Sequence, residues 1–169
     1  TDAENLVNVS AKPTFPDGNP IGGYDDVKHS DPSSVSMIVP KPSISIDNKV
    51  YLDIVDDNGD QCGTDNATDF TAGSLNAAVI YCFNVTNTGN TLLTDVHIKN
   101  TDIGLDFVVG DIEIGDWYMV KDSKLIEGNL TNAAVATGTP AYSDRSDIPN
   151  VDKATHSDTS AVGVDDGIS

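Results

Sequence analysis

Ile44, Ile46, Asn48, Val50, Leu52 and Ile54 share one parity, and Ser45, Asp47, Lys49, Tyr51 and Asp53 share the other. A period of two marks a half-buried β-strand, because successive side chains on extended backbone point to opposite faces. The pattern returns over residues 75–85, with Leu75, Ala77, Val79, Tyr81, Phe83 and Val85 inward, and again at Leu92, Thr94, Val96 and Ile98. Between those two runs Asn87-Thr88-Gly89-Asn90 suits a tight turn with positive φ, so the flanking strands are expected to be partners. Shorter strand-like pieces cover 107–109, 117–120, 131–137 and 159–164. A helical period of 3.6 is sustained nowhere. The one helical expectation is a single turn capped by Ser123, anchored by Leu125 and Ile126, and ended by Gly128. Short strands with turn signals at about ten-residue intervals predict an all-β, antiparallel sandwich.

Charge narrows the partners. The chain carries 27 acidic and 9 basic residues, a net −18. Phosphate recognition requires clustered Lys and Arg, so nucleic acid is excluded as a partner, and anionic membrane surfaces with it. The longest apolar run, Ala77 to Phe83, is far short of the roughly 20 residues that cross a bilayer, so no membrane insertion is expected. The chain opens at Thr1 without Met or a secretory apolar segment, which suits a processed or truncated product.

An internal echo sets the domain organisation. Val27 to Met37 and Ala154 to Val164 share His, Ser, Asp, Ser and Val at the same steps, 127 residues apart. Asn5-Leu6-Val7-Asn8 reappears as Asn129-Leu130-Thr131-Asn132, and Pro16 as Pro140, at a spacing of 124. The two spacings imply a three-residue gap in the intervening Gly/Pro/Asp-rich loop. Residues 1–39 then read as the closing strands of a partial unit, joined by a stiff linker from Met37 to Pro42. Residues 40–169 read as one whole unit of the same kind.

The run FNVTNTGNTLLTDVHIKNTDIG, residues 83–104, resembles the signature of tandem Ig-like "conserved repeat" domains of secreted and cell-envelope proteins. That family's V-T-N-T-G-N strand end corresponds to residues 85–90, and its following strand to Leu93-Thr94-Asp95-Val96-His97-Ile98. Asp57-Asn58-Gly59-Asp60 is similar to the family's acidic turn. Ala72-Gly73-Ser74 stands in for its A-G-D segment without the Asp. Gly128 to Gly138 and Ser157 to Ser160 resemble its last strands. The resemblance implies an Ig-like sandwich strung into a stalk or fibre outside the cell, and it implies no activity.

Cys62 and Cys82 are the only cysteines; Cys82 lies on the parity opposite Tyr81 and Phe83 and is expected to point away from the main core. In an oxidising compartment a disulfide between them would tie the acidic loop to a strand and contribute about 3 kcal/mol; free thiols or a metal pair are the alternatives. Asp56, Asn58 and Asp60 alternate as Ca2+ ligands would, although the glycine and glutamate of an EF-hand are not in place, and a solvated acidic turn is the plainer reading. Sequons at Asn8, Asn66, Asn84 and Asn129 barely exceed chance; Asn84 and Asn66 fall on an outward face and a loop, where a glycan fits. His29 and His156 occupy one echoed position, which favours a structural role, and His97 stands apart. No catalytic set emerges, so no enzyme is expected. Trp117 and Tyr118 fit core filling better than a sugar-stacking platform.

The expectation for function is a structural, glycosylated, extracellular repeat. Two or three strands cannot bury one face alone, so residues 1–39 must finish a sandwich with other material. That material is an adjacent repeat of the same chain or another copy of it, added head to tail into a filament. The alternative is an adhesin-type module binding carbohydrate or a receptor through loops 56–74 and 138–153.

Overall fold

The computed structural model describes residues 3–35, 38–54 and 59–165. These residues are all-β, with ten strands and no helix. The chain divides into two compact units, Thr1–Val39 and Pro40–Ser169. The first is a two-stranded antiparallel sheet of β1 (Ala3–Ala11) and β2 (Val27–Val35). The second comprises β3 (Ile44–Leu52), β4 (Phe70–Gly73), β5 (Ala78–Asn87), β6 (Leu92–Asn100), β7 (Leu105–Ile112), β8 (Trp117–Leu125), β9 (Leu130–Ala141) and β10 (Ala154–Val164).

In the second unit a three-stranded sheet, β3-β5-β8, packs on a five-stranded sheet, β4-β10-β9-β6-β7, in a sandwich-like arrangement. Every ladder is antiparallel except β4 with β10. The alternating residues meet between the sheets: Ile44, Ile46 and Val50 of β3 and Val79, Tyr81, Phe83 and Val85 of β5 lie opposite Leu93, Val96, Ile98, Ala134 and Ala136. Alternation thus places one side of each strand in the core, as period-two patterning requires.

Several expectations are corrected. Ser123 and Leu125 belong to β8, whose alternation continues through the segment read as a helical turn; only Ile126, just beyond it, enters the core. Leu75 and Ile54 are exposed, because β5 starts at Ala78 after a turn with Asn76 at φ 63° and β3 ends at Leu52. β5 and β6 are not partners: the segment between them crosses from one sheet to the other. Gly89 does not take positive φ there. It is needed because a Cβ would lie 2.5 Å from the Ser43 nitrogen and 2.7 Å from the Lys41 oxygen. A bulge at Asp95, φ 49°, shifts the parity of β6, so Leu93 rather than Leu92 joins Val96 and Ile98 in the main core.

One loop geometry occurs twice. In the first unit Phe15 N–H donates to Asn19 O, Gly18 N–H to Phe15 O, and Ile21 N–H to Pro13 O. In the second, Tyr142 donates to Ser146, Arg145 to Tyr142, and Ile148 to Pro140. The bridge Thr14–Pro20 matches Ala141–Asp147, and positive φ at Gly18 and Gly23 matches Arg145 and Asn150. Each pair of positions is 127 apart, and ten of the 33 residues from Ala3 to Val35 recur unchanged at that spacing. The 124-residue alignment is therefore superseded: Asn5 corresponds to Asn132 and Pro13 to Pro140, with no gap.

Candidate functional site

A densely bonded polar group of the second unit is a buried hub between its sheets. Asn132 of β9 accepts at Oδ1 from Asn48 Nδ2 (2.9 Å) and Asn100 Nδ2 (2.6 Å), and donates from Nδ2 to the carbonyl and hydroxyl of Ser160 (3.0 Å each). Ser160 Oγ donates to Asn48 Oδ1 at 3.0 Å. Three strands of one sheet and one of the other are thereby fixed in register through fully buried amides. A satisfied network of this kind rigidifies a core, whereas a broken one is costly.

Beside the hub, β10 side chains cover a bare strand edge. β3 pairs with β5 on one side only. On the other, His156 Nδ1 accepts from Ile46 N–H (3.2 Å), Asp158 Oδ2 accepts from Asn48 N–H (2.8 Å), and Thr68 O accepts from Val50 N–H (2.8 Å). Covering unpaired edge amides prevents unwanted strand addition. The echoed His-Ser-Asp-x-Ser is therefore an edge-and-hub motif, a role the sequence reading did not assign.

In the first unit the same residues stand in the same pairing: Asn5 opposite Ser33, Val7 opposite Asp31 and Val9 opposite His29, as Asn132 is opposite Ser160, Ala134 opposite Asp158 and Ala136 opposite His156. Their surroundings differ. Every residue of β1 and β2 is exposed. Val7, Val9, Val27 and Val35 show 54, 61, 66 and 71% of their surface, against 0, 0, 6 and 4% for Ala134, Ala136, Ala154 and Val162.

The motif Asn87 to Asn90 is a clamp. Buried Asn87 donates from Nδ2 to the carbonyls of Thr91 and Ile112 and accepts from Gly89 N–H. Asn90 Oδ1 accepts from Lys41 N–H at 2.6 Å, and Thr88 bonds Ser43, which secures the chain leading into β3.

Cys62 and Cys82 form a disulfide, with Cα atoms 5.5 Å apart. Cys82 faces away from the main core, as its parity predicts, into a small cluster with Tyr51 and Ala67 on the outer face of the three-stranded sheet. A polar groove of about 480 Å³ lies beside it, lined in part by Asp47, Lys49, Asp69 and Asn84. Lys49 bonds Asp69, and this contact, with Asp47 nearby, raises the lysine pKa.

Of the candidate Ca2+ ligands, Asp56 and Asn58 lie outside the described residues. Asp60 bonds Lys121 and accepts from Cys62 N–H, and the lysine above all holds its carboxyl below the ordinary range. The sequon asparagines are dispersed. Asn8 is on the β1 face opposite Asn5, and Asn84 is half-buried on the outer face of β5. Asn66 is exposed and donates to Gln61, and Asn129 is exposed and accepts from Val164 N–H. His97 pairs with Asp106 on β6–β7.

Trp117 and Tyr118 do not fill the core. Both are exposed, and Tyr118 stacks on Phe107 with ring centroids 6.4 Å apart. Trp117 falls on the parity opposite the core residue Val120, and Tyr118 lies at the start of an edge strand with only Phe107 of the other sheet against its ring. No family model, no curated protein and no solved structure matches the chain.

Proposed function

We propose that this chain is a structural protein of the cell exterior, built from Ig-like sandwich repeats in tandem, in which the first unit is the closing hairpin of an adjoining repeat. The observation that carries this reading is the loop with identical hydrogen bonds at Pro13 to Ile21 and Pro140 to Ile148, 127 residues apart, between strands paired in the same register. A chain that spaces one hairpin at a fixed interval stacks like units along a line, and contacts that do not close produce a fibre. The disulfide and the acidic surface suit an oxidising, aqueous exterior. The exposure of the sequon asparagines Asn8, Asn66 and Asn129 supports glycosylation as part of this reading, whereas Asn84 is half-buried.

Electron microscopy of native material tests the reading: extended filaments or stalks are expected, and discrete particles overturn it. A second reading, a carbohydrate-binding module, is favoured by one observation, the exposed aromatic edge of Phe107, Trp117 and Tyr118.

A further inference from the structure

In β9–β10 the four polar side chains of the echoed set that share the inward face each have a partner. Asn132 bridges Asn48 and Asn100, Ser160 donates to Asn48, and His156 and Asp158 accept the edge amides of Ile46 and Asn48. The hairpin β1–β2 keeps all four residues, as Asn5, Ser33, His29 and Asp31, on one exposed face. Nothing about an exposed two-stranded sheet calls for that set, since Asn and Asp are depleted in strands. A seat like the one under β9–β10 does call for it.

The apolar positions say which seat. Val7, Val9 and Val27 stand where the second unit has Ala134, Ala136 and Ala154, and Ala11 stands where it has Gly138. All four are larger. A Cβ at position 138 would lie 3.2 Å from both Leu93 Cβ and Val96 Cγ2, so even the smallest of these additions requires those side chains to give by a few tenths of an ångström. Overpacking a filled core is destabilising. A second copy of this chain is therefore the wrong host twice over: its seat is tight, and its own β9–β10 fill it.

We propose that β1–β2 closes a second sandwich whose other six strands come from a segment built like residues 40–128. This segment has asparagines at the counterparts of Asn48 and Asn100, open edge amides at those of Ile46 and Asn48, and smaller side chains at those of Leu93 and Val96. The proposal rests on the tandem reading above and adds the partner's residues.

The test grafts residues 40–129 directly ahead of Ala3, which restores the 127-residue spacing, with Leu93→Ala and Val96→Ala in the grafted copy only. Amide hydrogen exchange of β1–β2 is compared with that of the ungrafted chain. Exchange is expected to slow by roughly a hundredfold or more, as burial of a frayed element does. A graft keeping Leu93 and Val96 is expected to give at least about tenfold less protection. Asn5→Ala with Asp31→Ala in the hairpin is expected to return exchange to the ungrafted rate, whereas Leu6→Ala, on the opposite face, leaves it slow. Fast exchange with both grafts overturns the proposal, as does protection that survives Asn5→Ala with Asp31→Ala. Concentration-dependent protection of the ungrafted chain overturns it in favour of a second copy. Filaments from native material without this protection remove the partner assigned here and leave the structural role standing.

Discussion

The hairpins β1–β2 and β9–β10 are the same object in two environments. Both pair antiparallel in one register, both carry the same hydrogen-bonded loop, and both align Asn, Ser, Asp and His on one face. One has Ala134, Ala136, Ala154 and Val162 in or against a core, each at most 6% exposed; the other has no buried residue. Local sequence therefore suffices to specify the hairpin's loop and register. Burial is what turns its face into stability, at roughly 1.5–3 kcal/mol for each valine fully buried.

The largest effect that separates them concerns the hub. Asn132→Ala removes four hydrogen bonds and strands the amides of Asn48 and Asn100 in a dry interior. Each buried polar group left unpaired costs about 1–3 kcal/mol, so a loss of roughly 3 kcal/mol or more is expected in urea melts followed by circular dichroism. Asn5→Ala, its counterpart on an exposed strand, is expected to change stability by less than about 0.5 kcal/mol. Equal effects at the two positions would show that the faces are not in different environments.

How much was legible follows the same division. Alternation read from the sequence located β3 and most of β5 and β6, because one buried face imposes period two, and shorter strand-like pieces marked parts of β7, β8, β9 and β10. It mistook the segment after Ser123 for a helical turn, since a short stretch with a cap-like serine and a terminal glycine fits a β-edge as well. The bulge at Asp95 was invisible, because which sheet a strand joins decides where its parity must change. Gly89 was noticed for the wrong reason: its requirement is a neighbour at 2.5 Å, and no local pattern encodes that neighbour. Trp117 fits the core by residue type, but it stands on the parity of β8 opposite the core residue Val120 and is exposed. The hub was half legible. Asn48 fell on the inward parity, and the recurrence of His, Ser, Asp and Ser was the signal that their roles are shared, but only topology supplies Asn100 and Asn132 as partners.

A middle-sized effect tests size matching. Ala134→Val with Ala136→Val copies Val7 and Val9 into the filled seat, where both alanines are fully buried. Each is expected to cost about 1–3 kcal/mol through overpacking, read as a lower urea midpoint with an unchanged slope. The reverse pair, Val7→Ala with Val9→Ala, is expected to fall within about 0.5 kcal/mol in the chain alone. Tolerance of valine at 134 and 136 would mean that the seat accepts either hairpin, and size would then no longer exclude a second copy.

The smallest effect lies in the shared loop. Asp17 accepts from Asn19 N–H and Nδ2, and Asp144 accepts from Ser146 Oγ and N–H. Both carboxyls are held below the ordinary range, Asp17 first by the backbone N–H of Asn19 and Asp144 first by the Ser146 hydroxyl. A depressed folded value means that each contact stabilises its loop above the unfolded carboxylate pKa of about 3.9 and is lost as pH falls through the folded value. Carboxyl chemical shifts followed through acid titration are expected to give midpoints below the ordinary value in both units. Ser146→Ala is expected to move the Asp144 midpoint upward by the larger step, because the hydroxyl is its main cause. Asn19→Ala is expected to move the Asp17 midpoint less, because the backbone N–H remains. A midpoint at the ordinary value for Asp17 alone would show that the two loops, alike in backbone, are not alike in solution, and the equivalence of the two hairpins would then stop at the strands.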